Sequence, residues 1–427
     1  CLHYIMQYKS NFTIWYRNCS ISEVDKNLKE QFMRNLLKLR FLWTFLTLFL
    51  VLSLIAGGCG KKEKKEEAKS ATKQEVAQKA SEEKVIKIGA ILPLTGDAAV
   101  FGKNTQKGAV LAIEEENKKL GKQKFVLISE DSKGLAKEGV NAMKKLVNIE
   151  NIQAVIDDAV SSVALAIAPI AQEKHVVIVS TGSTNPKLSE AGKYFFRLWN
   201  SDTEEGRFSA QFAYEKLGLR KVAILYVNND YGFGLKNVFE KEFKKRGGKI
   251  VATESFRFGA FDYRKQLVKI KVAEPEGIYI VAYPKEYPII LKQTQEIGLK
   301  KGGYKMGTCT FEDPQVIKVA GRAAEGMLYP YPKEPVGKVV EEFKKKYISK
   351  YGEKPGTCAA EGYDAAKLII YCIEKAGYHG FSIQQVMSHI KGWEGASGEI
   401  TFDENGDVHK PMIMKVVKGG RFLRFEK

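Results

Sequence analysis

The sequence predicts an α/β protein made of two doubly wound parallel-sheet lobes with a hinged cleft between them. Three observations lead there. Strand-length apolar runs alternate with helix-length amphipathic segments from Val85 to about Thr308. There are enough of these pairs to fill two sheets, and 427 residues leave room for two full cores. The stretch from Ile152 to Pro186 reads as strand, helix, strand and a Gly/Ser/Thr loop, the βαβ unit from which such sheets are assembled.

The first 84 residues stand outside that alternation. Residues 1–32 have no periodic apolar face and are read as an upstream extension with no role in the mature protein. Met33 opens a better beginning: MRNLLKLR supplies a positive segment and FLWTFLTLFLVLSLIA an apolar run, followed by small residues before Cys59. Residues 33–58 therefore read as a secretory signal. The A-G-G-C ending resembles a bacterial lipobox, with Ala56 where that pattern prefers Leu, which would make Cys59 a lipidated N-terminus. The stretch 59–84 is charged, poor in apolar residues and unable to bury a core, so it is expected to be a tether of about 25–30 Å.

The folded body then runs VIKIGAIL, helix 104–119, KFVLIS and helix 137–148 before the opening βαβ stretch. A second series follows Trp199: helix 204–217, VAILYV, helix 235–246, IVATES, helix 263–271, GIYIVA, helix 287–297 and YKMGT. Helices over 336–351, 359–376 and 383–390 come next, and short strands in GEITFD, MIMKVV and RFLRF close the chain. The expected division is 85–201 plus 334–399 for the first lobe and 202–333 plus 400–427 for the second. The chain would cross between them near residues 201, 333 and 400.

A net charge of +18 could signal nucleic acid, but the lysines alternate with glutamates, as in EEFKKKY, and no RNP-like motif or zinc-finger spacing accompanies them. No nucleic-acid partner is expected. The six cysteines form no C-x-x-C and the five histidines no H-x-x-x-H, so neither metal nor cofactor is indicated. L-T-G-D-A-A-V-F-G-K-N fails as a P-loop: five residues separate Gly96 from Gly102, and Asn104 replaces the Ser/Thr that would hold magnesium. No catalytic motif is found, and the protein is not expected to be an enzyme.

Parallel strands place Ser161-Ser162 and Gly182–Thr184 at one sheet edge, outside the carboxyl ends of the strands, where open α/β sheets bind ligands. Hydroxyls beside free N–H groups suit an anion. The same residues would also serve simply as a helix cap and a turn.

ILPLTGDAAVFG, SSVALAIAPIAQEKHVVIVSTGSTNP, YFFR, NDYGFG, AGRAAEG, EGYDAAK and GEITFDENGD occur in order and at similar spacing to those of a known group. From Val85 nearly to the end, the chain resembles the type I solute-binding proteins of branched-chain amino acid ABC transporters, the Leu/Ile/Val-binding family. The resemblance implies a monomer, tethered to the membrane by lipid, that carries a small carboxylate-bearing solute to an ABC permease. A sensory receptor domain of the same fold and an extracytoplasmic enzyme are the alternatives.

Carried over position by position, the resemblance implies that Ser161, Gly182 and Thr184 hold the ligand's carboxylate. Phe101 would lie against its side chain, and Tyr231 and Tyr283 would close over it from the second lobe. The family often places a Glu after the strand matching YKMGT to pair with the ligand's ammonium; here Cys309 occupies that position. Glu312 or Asp313 reaching back, or Asp157 or Asp158 reaching in, are the expected substitutes. Otherwise the solute lacks an ammonium and is an amide, a 2-oxo acid or an aromatic carboxylate.

Overall fold

The computed structural model describes residues 85–157, 159–299 and 303–426. The expected signal segment, the Cys59 lipidation site with its tether, and Asp158 lie outside the described residues. The first sheet holds β1 (Ile86–Leu92), β2 (Phe125–Asp131), β3 (Ala154–Asp157), β4 (Val177–Ser180) and β5 (Phe195–Arg197), in the order β2-β1-β3-β4-β5 and parallel throughout. Between these strands run α1 (Ala99–Leu120), α2 (Ala136–Asn148) and α3 (Ser161–Lys174).

Alternation of side chains across the pleat gives this sheet two apolar faces. Ile91, Val155 and Ile178 meet Met143 and Leu146 of α2 and Val163 and Ile167 of α3. Ile88, Ala90, Leu92, Ile156, Val177 and Val179 meet α1 and helices that arrive much later in the chain.

The chain continues with α4 (Asp202–Gln211), which runs on into one π-helical turn, then β6 (Lys221–Val227), α5 (Asp230–Lys245), β7 (Lys249–Phe256), α6 (Arg264–Val272) and β8 (Gly277–Val281). After these come α7 (Tyr287–Ile297), β9 (Tyr304–Met306), α8 (Pro314–Ala320) and β10 (Leu328–Pro332). Next are α9 (Lys338–Tyr351), α10 (Ala359–Ala376), α11 (Gly380–Met387) and the β11 (Trp393–Gly395) and β12 (Gly398–Ile400) hairpin. β13 (Met412–Lys418) and β14 (Arg421–Arg424) end it. The second sheet has the order β14-β13-β10-β9-β8-β6-β7, parallel except where β13 joins β10 and β14 joins β13.

Helices α9 to α11 return to the first sheet: Phe343, Tyr347, Leu368, Ile369 and Ile383 share a core with Ile88 and Leu92. The closest packing is between α1 and α10. A Cβ on Gly108 would stand 2.0 Å from the Ala359 carbonyl oxygen, and one on Gly362 would stand 2.3 Å from that of Thr105. Only glycine lets these two backbones approach so closely.

Two expectations need correction, and one strand is added. Phe402 and Val408 still pack in the first lobe's core, so the third crossing falls between Val408 and Met412 rather than near 400. α1 begins at Ala99 instead of 104, which puts Phe101 on the first helical turn and not in a loop. The YFFR segment forms β5, a strand too short to register as a periodic run. Among the described residues no helix is long and apolar enough to cross a membrane.

Candidate ligand-binding site

Both sheets reverse strand order beside their first strand, between β1 and β3 and between β6 and β8. Segments leaving the carboxyl ends there frame a cleft lined by Phe101, Ala159, Gly182 and Thr184 from the first lobe. Tyr231, Tyr283, Cys309 and Thr310 line it from the second lobe, and Trp199, Thr357 and Cys358 complete it.

The first wall is the T-G-S-T-N loop after β4. Ser161 opens α3, and its buried hydroxyl accepts N–H bonds from Thr184 and Asn185, each 3.2 Å. Ser161 thus stands behind the wall and shapes it, while Thr184 is on it. Gly182 must be small, since a Cβ there would come within 2.8 Å of the Ala159 Cβ and 3.0 Å of the Cys358 sulfur.

Arg197, wholly buried at the end of β5, props the loop from below. Its Nη1 donates to the carbonyls of Thr184 and Asn185, both at 3.1 Å. Its Nε and Nη2 donate to the two Asp407 oxygens at 2.6 and 2.8 Å, and Nη2 also donates to the Ser189 hydroxyl at 2.6 Å. Asp407 is presented by a tight turn in which Asp403 Oδ1 accepts from the N–H groups of Asn405 and Asp407, both at 2.9 Å.

The second wall is aromatic. The rings of Tyr231 and Tyr283 lie 5.3 Å apart at 53°, both buried. Asn229 caps α5 by accepting the Gly232 N–H at 3.0 Å, which places Tyr231 on the first turn. The Tyr231 hydroxyl donates to Thr308 Oγ1 at 2.8 Å, inside a hydroxyl cluster completed by Tyr287 and Thr310. Burial pushes the Tyr231 phenol well above its ordinary value, so it stays a neutral donor. Glu286 fixes the turn carrying Tyr283 by accepting the N–H groups of Tyr283 (2.9 Å) and Gly259 (3.0 Å), and burial pushes its carboxyl up to about 7.

The lobes also touch across the seam. Asn185 Nδ2 donates to the Asp230 carbonyl at 2.6 Å, and Lys285 Nζ donates to the Gly96 carbonyl at 2.8 Å and approaches Asp97 at 3.3 Å.

Of the residues expected at the site, Phe101, Gly182, Thr184, Tyr231 and Tyr283 are brought together on the cleft and Ser161 directly behind it. The expected ammonium partners are placed elsewhere. Glu312 pairs with Lys415 at 2.5 Å and accepts the Tyr329 hydroxyl at 2.7 Å, while Asp313 caps α8 by accepting the Gln315 N–H at 2.7 Å. Asp157 is buried at the end of β3 and is not on the cleft wall.

Sequence reasoning missed Trp199, Thr357 and Cys358, which sit at element ends with no local signal. It also missed Glu205, whose Oε1 accepts the Cys309 N–H at 3.0 Å. Among the described residues, no group of three or more His, Cys, Asp or Glu could hold a metal ion.

Two doubly wound sheets facing each other over a cleft, with Gly182 and the Thr184 side chain on one wall and tyrosines on the other, define a two-lobed solute-binding protein. The sequence model of the periplasmic binding protein family matches residues 85–421, and the chain belongs to that family. It is 28% identical over 336 residues to Leu/Ile/Val-binding protein homolog 3 of Brucella melitensis, covering 76% of this chain and 89% of that one. A crystal structure of a leucine-binding protein from Thermotoga maritima is similar at 33% identity and a TM-score of 0.74, covering 80% of this chain and 98% of that one. The branched-chain amino acid transporter substrate-binding protein of Streptococcus pneumoniae, solved with isoleucine, is similar at 27% identity and a TM-score of 0.72, covering 79% and 98%. The family's place of work is outside the cytoplasm, and it is not an enzyme family.

Proposed function

We propose that this protein captures a branched-chain or related amino acid outside the cytoplasm and delivers it, as a monomer, to an ABC permease. The observation that carries this reading is the cleft itself: Thr184 and Gly182 on one wall, Phe101 beside them, Tyr231 and Tyr283 opposite. The names of the relatives point to the same ligand class. A carboxylate at Thr184 would gain charge-assisted hydrogen bonds of about 1.5–3 kcal/mol each, and an aliphatic side chain against Phe101 would add a similar amount.

Mass-spectrometric identification of the solute that co-purifies with residues 85–427 tests the reading, with leucine, isoleucine or valine expected. Thr184→Val removes a hydroxyl from the wall, and Ser161→Ala leaves two buried N–H groups without their acceptor. Each should weaken leucine binding by about 1–3 kcal/mol in calorimetry. Undiminished affinity in both variants would place the carboxylate elsewhere. Cys309 in the family's acidic position favours a second reading, in which the solute is an amide, a 2-oxo acid or an aromatic carboxylate.

The proposal includes a lipid anchor at Cys59, motivated by the basic, apolar and small-residue succession before it. Cys59→Ser should move the protein from the membrane fraction to the soluble fraction. Wild-type protein that is already soluble and unlipidated would refute the anchor.

A further inference from the structure

We infer that Glu205, backed by Asp202, is the anionic partner of the ligand's ammonium group, taking the place of the charge that Cys309 lacks. This rests on the amino-acid reading of the cleft. Three observations carry it.

The first is placement. Cys309 lines the cleft, and Glu205 holds it: its Oε1 accepts the Cys309 N–H at 3.0 Å, and its carboxyl acts on the thiol beside it. The carboxyl therefore stands one residue behind the wall, and a rotation of the small Cys309 side chain would bring it into line with the cleft. Cys309 cannot supply the charge itself, because burial first and the Glu205 carboxyl next push its thiol well above the ordinary range.

The second is the companion carboxyl. Asp202 and Glu205 are three residues apart on α4, hence on one face of the helix. Asp202 is fully buried, and the Thr184 side chain acts on its carboxyl by hydrogen bonding. It lies against Thr184, whose carbonyl accepts the Asp202 N–H at 2.8 Å. The two cleft residues Thr184 and Cys309, one on each wall, are thus both backed by carboxyls of a single helix.

The third is that, among the described residues, no cation is matched to the pair alone. Arg197 acts on Asp202, but its guanidinium is already matched by Asp407. Facing the pair from neighbouring elements are Cys309, Tyr231 of α5, Tyr279 of β8 and Tyr287 of α7, all held neutral by burial. Burial holds protons on the two carboxyls as well, pushing Glu205 up to about 7 and Asp202 in the same direction. Ionising either carboxyl there without a cation is costly, and an ammonium at Cys309 would supply the missing positive charge.

The probes are L-leucine and its deaminated analogue 4-methyl-2-oxopentanoate, titrated against the unliganded wild type, Glu205→Gln, and the Glu205→Gln/Cys309→Glu double variant. The wild type should prefer leucine. Glu205→Gln should lose leucine affinity roughly a hundredfold and keep its affinity for the oxo acid, a split that general loosening of the fold would not produce. The double variant should regain leucine, because it restores the anion at the wall. Leucine binding of wild-type strength in Glu205→Gln would overturn the inference and leave the amino-acid reading standing. A wild type that binds neither leucine, isoleucine nor valine would overturn both. If Glu205→Gln loses both probes, the double variant decides: leucine recovered supports the role of Glu205, and leucine not recovered refutes it.

Discussion

Replacing Arg197 by leucine is expected to cost the folded protein about 3–5 kcal/mol, because it strands the Asp407 carboxylate in an interior where that side chain is 6% exposed. Arg197 itself is 0% exposed and carries five side-chain hydrogen bonds, so loss of either partner leaves several buried groups unpaired. The midpoint of urea unfolding should fall, with Asp407→Asn showing a smaller loss, since an amide still accepts one bond. Leucine affinity should fall with it, because the same guanidinium holds the carbonyls of Thr184 and Asn185 that fix the first wall. By contrast, Lys285→Ala at the exposed seam should change stability by less than about 1 kcal/mol. A midpoint for Arg197→Leu within the error of the wild type would show that the buried pair contributes nothing measurable.

The second large effect is on pH. The unliganded protein should lose stability as pH rises from about 5 to 8. The Glu205 carboxyl is raised to about 7 in the folded state, by burial above all, against about 4.3 when unfolded. Between those values the folded chain keeps a proton that the unfolded chain has released, so unfolding becomes easier with each step up in pH. For this one fully buried group the sum is on the order of 3 kcal/mol. Glu286 at about 7 and Asp364 at about 6 act in the same direction. His409, raised by its bond to Glu204, also loses its contribution as pH climbs through its folded value. Depressed carboxyls such as Asp131 and Asp403 act the other way, losing their stabilisation only under more acidic conditions. A melting curve taken every half pH unit should therefore peak near pH 5, and Glu205→Gln should flatten the decline above it. A melting temperature that holds level or climbs from pH 5 to 8 would refute the assignment.

The sequence made the first sheet legible because its strands are short, apolar and separated by helix-length spacers; Val177–Ser180 followed by T-G-S-T-N-P could be placed almost to the residue. It made the cleft legible wherever a site residue follows a strand or opens a helix, as Thr184 and Tyr231 do. Arg197 and Asp407 each fall within a motif, but 210 positions separate them and a buried arginine has no local signature, so their pairing is invisible in the sequence. Glu205 was hidden differently. In D-T-E-E-G all three acids suit the first turn of a helix for its dipole alone, and only the packing of α4 tells half-buried Glu204 from Glu205, which is 2% exposed. The third crossing was misplaced because the apolar Ile400 and Phe402 look like the start of a strand pair, whereas both pack into the first lobe.

The return of α9, α10 and α11 to the first sheet sets the order in which this chain can mature during synthesis. When β5 has emerged, one face of the sheet is covered by α2 and α3, but Ile88, Leu92, Ile156 and Val179 on the other face still await Leu368, Ile369, Ile383 and Phe402. The missing layer lies about two hundred residues downstream, roughly 10–40 s at ordinary rates of translation. Throughout that interval the nascent lobe carries an apolar surface that α1 covers only in part and cannot complete its cooperative unit, while the contacts it needs are among the least local in the molecule. For a member of a family that works outside the cytoplasm, the interval is also one in which the chain remains unfolded enough to be threaded through a membrane.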